Sequence, residues 1–393
     1  MKNRLNFVLY IMGGSISTTG DVLSNMGILF LSYEISKSVK MTSIVGAFET
    51  MPFIVFGLIG GVVADWYLKK ELLITVQLIR IPIMIIFVYL MSINQINISY
   101  LIFYVMLLSL CSCFYNPAHR ALLPQISQDD NLIKINSIYD ASIRITTICA
   151  LLLSGVLLTR FDLITFFIID LFTFFISLST LVFIRSSEIK VKSQKTIKRI
   201  KEDLLEFVKY IKYNEEIKHL FLFTFIMVFL NTWLFDVGFL MLVKQTSEKA
   251  NSDFSFYKGF YSFCAIFINI FIPIVFKKQS IHTYILGSFI WGSGFFIMSL
   301  NQSKINIYFS LIIISAGLIL SSMTRSYLIQ TKIEPFMHAR GFSFNAVLLY
   351  TSNTLSLLSF GFTSEVFNIQ AIYVIASSLM MLSSISFFIL RRT

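Results

Sequence analysis

Residues Arg185–Lys218 read RSSEIKVKSQKTIKRIKEDLLEFVKYIKYNEEIK, the one long polar stretch in a chain otherwise built of apolar runs. It carries ten Lys/Arg and six Asp/Glu. Inside it, Ile200–Ile211 brings Leu204, Leu205, Phe207, Val208 and Ile211 onto one face at helical spacing. That pattern predicts an amphipathic helix lying along a membrane surface or docking a partner. On its N-terminal side, runs near the 20 or so apolar residues that cross a bilayer core fall at 5–32, 41–64, 72–92, 99–116, 135–158 and 163–184. On its C-terminal side they fall at 219–243, 255–276, 282–300, 305–324, 342–363 and 369–390. Backbone in lipid must satisfy its own hydrogen bonds, so each run predicts a helix, and none alternates as a barrel strand would. The expected fold class is an all-α polytopic membrane protein, with twelve transmembrane helices in two six-helix bundles. The bundles are expected at 1–184 and 219–393, joined by the cytoplasmic linker 185–218. The repeat rests on this count, since the two halves share no visible residue-level similarity.

Composition supports lipid as the solvent. Of 393 residues, 56% belong to the apolar set AVILMFWYC and 13% are charged, with 41 Phe; the mean hydropathy is +0.77. The wetted surface of a soluble domain of this length could not accommodate that balance. The net charge of +11 does not mark nucleic-acid binding, because the basic residues lie in short segments between apolar runs. They set topology instead. With both termini in the cytoplasm, 23 of the 32 Lys/Arg lie on the cytoplasmic side. Seven lie outside (Lys37, Lys40, Arg160, Lys244, Lys249, Lys258 and Lys304), and Arg80 and Arg144 lie within spans. Met1 to Arg4 leads into the first run without a cleavage site, so this run is expected to be a retained span. The four cysteines, Cys111, Cys113, Cys149 and Cys264, lie in apolar runs as packing residues. His119, His219, His282 and His338 stand at loops or span ends without metal-ligand spacing, so neither metal nor other cofactor is expected. No catalytic triad order or phosphate-cradling loop is present, so an enzyme is not expected.

Charges inside spans carry the functional expectation, because an ionised group at the bilayer centre is costly. Asp21, Glu49, Asp140, Asp170 and Asp236 lie within runs, against two bases, Arg80 and Arg144. At least three carboxylates therefore lack an obvious intramembrane cation, and desolvation favours the proton-bearing form of such a group. Asp21, with Asn25 one turn along the same face, is the first candidate for proton or cation handling; the alternative is that Asp21 pairs with Arg80 to pack spans one and three. Glu49, and Asp236 with Asn231 and Trp233 nearby, are the next proton or substrate candidates. Asp170 stands on the sixth span with a structural hydrogen-bonding role expected. Arg144 lies one turn beyond Asp140, where it either closes an ion pair or attracts an anionic substrate group.

The loop after the second run, Gly60-Gly61-Val62-Val63-Ala64-Asp65-Trp66-Tyr67-Leu68-Lys69-Lys70, resembles the major facilitator loop signature at Gly61, Asp65, Lys69 and Lys70. Trp66 and Leu68 occupy the usual Arg and Gly places. Gly13 to Asp21 (GGSISTTGD), Asn116-Pro117-Ala118-His119-Arg120 running to Pro124, the helix from Ile200 to Tyr210, and Arg340-Gly341-Phe342-Ser343 resemble the macrolide-efflux and enterobactin-exporter branch. The resemblance implies alternating access, with Gly61, Asp65, Lys69 and Lys70 as a cytoplasmic gating loop. It also implies antiport, although the expected glycine motif of the fifth span keeps only Gly155.

The resulting expectation is a monomeric secondary exporter in a bacterial cytoplasmic membrane, moving a small-molecule substrate with the proton as coupling ion. Hydrophobic drugs of the macrolide type are the first substrate reading, and a siderophore or metabolite the second. An importer, or a non-transporting receptor or scaffold, stands as an alternative.

Overall fold

The computed structural model describes residues 2–126, 132–184, 197–276, 279–334 and 337–390. Among these, the chain forms fourteen helices and no strand. It divides into two compact units, Met1–Met41 with Phe48–Ile200, and Thr42–Ala47 with Lys201–Thr393.

The first unit contains α1 (Lys2–Ser36), α2 (Val39–Trp66) apart from Thr42–Ala47, α3 (Lys69–Ser92), α4 (Ile98–Ile126), α5 (Leu132–Leu157) and α6 (Ile164–Phe183). The helix α1 packs on α4, α5 and α6, and α3 packs on α4 and α6. Small residues set the α1–α6 contact. Gly13, Gly20 and Gly27 recur every seventh residue and meet Thr180, Thr173 with Asp170, and Phe167 with Phe166 of α6. A Cβ at Gly20 would collide with the Thr173 hydroxyl and the Asp170 carboxylate, so glycine is what lets the two backbones approach.

The second unit takes in the greater part of α7 (Ile197–Tyr213), then α8 (Glu215–Phe235), α9 (Val237–Thr246), α10 (Ala250–Val275), α11 (Ile281–Leu300), α12 (Lys304–Lys332), α13 (His338–Val366) and α14 (Ile369–Leu390). Side-chain caps begin several of these helices: Asn214 accepts from the Ile217 amide, and Ser280 from the Thr283 amide. With α8 and α9 counted as one span, the neighbours repeat those of the first unit. The first span packs on the fifth and sixth (α8 on α13 and α14), and the third on the fourth and sixth (α11 on α12 and α14). The repeat that residue identity conceals is thus visible in the packing.

Ten helical segments among the described residues are long and apolar enough to cross a membrane. The two further spans expected, α1 and α13, have 35 and 29 residues. At 1.5 Å per residue they are about 52 and 43 Å long, and they carry more polar residues than the others.

Two expectations are corrected here. The run 219–243 is not one continuous helix: α8 stops at Phe235, and Asp236 has non-helical dihedrals (φ −107°, ψ −93°) before α9 begins. The Tyr373 hydroxyl of α14 donates to the Leu234 carbonyl beside the break, satisfying a group that the interrupted helix leaves open. Of the linker expected at 185–218, residues 185–196 lie outside the described residues, and α7 in the remainder packs on the second unit. Phe207 of α7 is buried, with ring centroids 6.4 Å from Phe221 and 5.7 Å from Phe344, and Glu206 meets Arg340 at 2.8 Å. These contacts fix α7 to the second unit, while Leu205 and Val208 of the expected apolar face stay exposed.

Candidate functional site

In the first unit, three charged side chains converge from α1, α3 and α6. Asp21, Arg80 and Asp170 are near enough for each carboxylate to feel the guanidinium and for Asp170 to feel Asp21. No contact ion pair forms among them. Arg80 is 3% exposed and donates from Nη2 to Ser112 Oγ at 2.6 Å, while its Nε and Nη1 have no hydrogen-bond partner. Its guanidinium carbon lies 4.7 Å from the Tyr115 ring centroid and 5.5 Å from that of Phe174, so aromatic faces supply part of the compensation that a carboxylate would give. Asp170 is 1% exposed. Its Oδ1 accepts from Thr173 Oγ1 at 3.2 Å, and its Oδ2 has no partner. Ser24, one turn beyond Asp21 on α1, lies beside Asp170, and its hydroxyl is 3.5 Å from that of Tyr104. Asp21 itself is half-buried, and Asn25 one turn on is exposed.

The alternative reading, in which Asp21 pairs with Arg80, finds no contact ion pair, since Arg80 turns to Ser112 and the rings. The hydrogen-bonding role expected of Asp170 holds for one oxygen, and the other is left open inside the bundle.

In the second unit, the break between α8 and α9 places Asp236 against Lys258 of α10, Oδ1 to Nζ at 2.8 Å. The lysine side chain is 11% exposed and that of Asp236 51%. Its Nζ also lies 3.8 Å from the Phe235 ring centroid. Two expectations change together: Asp236 is not an unpaired acid, and Lys258 is not a loop residue but a buried one. A lysine can be held there because the carboxylate and the aromatic face divide its compensation. Asn231, one turn before the break, has a buried Oδ1 without a partner. Trp233 Nε1 donates to the Ser356 carbonyl and to Ser359 Oγ, each at 3.0 Å, tying α8 to α13.

The other expected residues are distributed as follows. Asp140 faces Arg120 at 3.9 Å, and Arg144 is exposed and forms no ion pair among the described residues, so the Asp140–Arg144 bridge is not closed. Glu49 is half-buried on α2. In the gating loop, Gly61 has open space around it, and the close approach belongs to Gly60, where a Cβ would strike the Cys113 carbonyl of α4. Lys70 donates to the Val182 and Ile184 carbonyls, at 3.0 and 2.6 Å, at the C-terminal end of α6. A cation there matches the negative end of the helix dipole. Lys69 opens α3; the side chain of Asp65 lies outside the described residues. His119, expected at a span end, is buried in α4, stacked at 4.4 Å on Tyr10, whose hydroxyl donates to the His119 carbonyl at 2.7 Å. Among the described residues, no group of His, Cys, Asp and Glu is placed to hold a metal ion.

Residues 4–392 match the family model described as transmembrane secretion effector. The chain belongs to the transmembrane secretion effector family. This is a transporter family of the major facilitator type, so the protein is a membrane transporter and not an enzyme, and the receptor or scaffold alternative falls. Solved structures share the fold of this chain. The nucleoside transporter NupG superposes with a TM-score of 0.76 at 12% identity, over 100% of this chain and 99% of that one. A peptide transporter in complex with sulfate gives 0.75 at 13% identity, covering 98% and 94%. A bacterial homologue of the iron transporter ferroportin, in an inward-facing state, gives 0.72 at 14%, covering 98% of each chain. The chain matches no curated relative.

Proposed function

We propose that this secretion effector is a secondary active exporter of hydrophobic small molecules, such as macrolide-type drugs, working by alternating access and driven by proton entry. It works as a monomer in a bacterial cytoplasmic membrane, with both termini in the cytoplasm. The observation that carries the coupling is Asp21: a half-buried carboxylate midway along α1, with no hydrogen bond or contact ion pair of its own among the described residues. An acid so placed can take up and release a proton without first breaking a salt bridge. One charge crossing 100 mV yields about 2.3 kcal/mol, enough to sustain roughly a fifty-fold gradient of substrate. The secretion-effector family supports the outward direction, as does the resemblance of the Gly13–Asp21 and Asn116–Pro124 stretches to efflux proteins.

Asp236 is a weaker coupling candidate than its sequence position suggests, because Lys258 neutralises it. Glu49, Asn25 and Asn231 remain candidates for the substrate path. The exposed, unpaired Arg144 favours a second substrate reading, an anionic metabolite or carboxylate siderophore, whose acid group would meet the guanidinium.

Everted membrane vesicles holding an acid-inside pH gradient, read by a fluorescent dye, test the coupling. Macrolides, lipophilic cations and carboxylate siderophores are added in turn. Collapse of the gradient with one class, absent in Asp21→Asn vesicles, is the expected result. Equal collapse in the Asp21→Asn vesicles would remove Asp21 from the mechanism.

A further inference from the structure

The Asp21, Arg80 and Asp170 cluster has a charge count that does not balance. Two carboxylates and one guanidinium leave a net charge of −1 within a helix bundle. Among the described residues, the elements packed around it set no second lysine or arginine beside it: α1 contributes Asp21 and Ser24, α3 contributes Arg80 and Gln77, α4 contributes Tyr104, Cys111, Tyr115 and His119, and α6 contributes Asp170 and Thr173, while the His119 ring is engaged by the Tyr10 and Tyr139 hydroxyls and Arg144 of α5 is exposed. An uncompensated charge in an apolar interior is unfavourable, and a second carboxylate nearby makes it more so. Unsatisfied atoms gather at the same place. Asp170 Oδ2, Arg80 Nε and Nη1 and Gln77 Oε1 are all buried without partners among the described residues. The cluster is therefore built to take one further positive charge. A metal ion is a poor candidate, since among the described residues no third His, Cys, Asp or Glu joins the two carboxylates and Arg80 stands opposite them. A proton needs no such ligand.

We propose that Asp21 and Asp170 form a single proton-binding site that holds one proton between them opposite Arg80. Asp170, 1% exposed and anchored by Thr173, is the inner acid; Asp21, half-buried, is the one that exchanges with solvent. On transfer, the O–H bond on Asp170 Oδ2 breaks and one forms on the Asp21 carboxylate, directly or through the Ser24 hydroxyl, which passes on one proton as it receives another. Arg80 keeps its charge throughout. The net charge of the cluster is zero before and after, so the step moves a proton without creating an isolated charge. This deepens the proton-coupled reading of Asp21 and rests on it.

Charge balance makes a numerical prediction for purified protein in lipid vesicles, read as infrared absorption of protonated carboxyl groups at neutral pH. Relative to wild type, Asp21→Asn and Asp170→Asn each lose one protonated carboxyl, because one carboxylate and Arg80 already balance. Arg80→Gln gains one, because both acids must then carry protons. The site is refuted if Asp170→Asn leaves the count unchanged, or if sodium at constant pH abolishes the signal in wild type. Should Arg80→Gln fail to fold, the two Asn variants decide, since a loss in both is required. The measurement needs no transport, so the two readings fail separately. Correct counts without substrate-driven proton flux overturn the coupling and leave the site. Flux with an unchanged count in Asp170→Asn overturns the pair and leaves Asp21 acting alone.

Discussion

Removing either member of the Asp236–Lys258 pair will destabilise the second unit unequally, because the two side chains differ in burial. Buried pairs cost about 3–5 kcal/mol to break from one side, whereas exposed pairs contribute about 0.2–1 kcal/mol. The pair lies between these limits, with the lysine side chain 11% exposed and the aspartate 51%. Asp236→Asn leaves an enclosed ammonium facing a neutral amide, so a loss of about 3 kcal/mol is expected. Lys258→Met leaves a carboxylate that the protein encloses only by half, and the methionine can still pack on Phe235 and Phe254; the loss is about 1 kcal/mol. The double variant, lacking any stranded charge, should lose about 1–2 kcal/mol, which gives a coupling energy of about 2–3 kcal/mol. Chemical unfolding of the four proteins in detergent, followed by tryptophan fluorescence, measures this cycle. Additive losses, or a larger loss for Lys258→Met than for Asp236→Asn, would refute the reasoning from unequal burial.

Gly20→Ala should lower stability by about 1–3 kcal/mol through overpacking against α6, whereas Gly61→Ala, with open space around it, should be neutral or stabilising by up to about 1 kcal/mol; thermal unfolding of the two variants compares them directly. Tyr373→Phe removes the donor to the Leu234 carbonyl at the helix break and should cost about 1–3 kcal/mol, read as faster amide exchange confined to residues around Asp236. Phe207→Ala should release α7 from the second unit, with a loss of about 3–5 kcal/mol of docking energy, seen as new protease cleavage within 197–213 while the transmembrane helices stay intact.

The span pattern was legible in the sequence because lipid enforces it: every crossing needs a long apolar helix, and the polar stretch 185–218 stands out against that background. What escaped was anything set by the rotation of one helix against another. Gly60 and Gly61 differ by about 100° around a helix axis, and only the packing on α4 decides which meets a backbone. Asp236 and Lys258 lie 22 residues apart across a turn, a separation with no period to reveal it. Lys258 stands so near the end of an apolar run that it reads as a loop residue. The break at Asp236 left only a faint signal, an acid two residues before Gly238. The sequence reading singles out Asp21, but its surroundings were hidden. Asp170 and Arg80, to which the sequence assigns only hydrogen-bonding and packing roles, stand on other spans; glycines at 13, 20 and 27 draw α6 with Asp170 against α1, and α3 with Arg80 packs on α6.

The most direct test of proton-driven export uses purified protein in liposomes, with an imposed pH gradient and a labelled lipophilic substrate at equal concentration on both sides. With the compartment that receives the drug made acidic, wild type should accumulate the compound there above equilibrium, with collapse on adding a protonophore and no accumulation for Asp21→Asn. Accumulation that ignores the pH gradient, or equal accumulation by Asp21→Asn, would contradict the account.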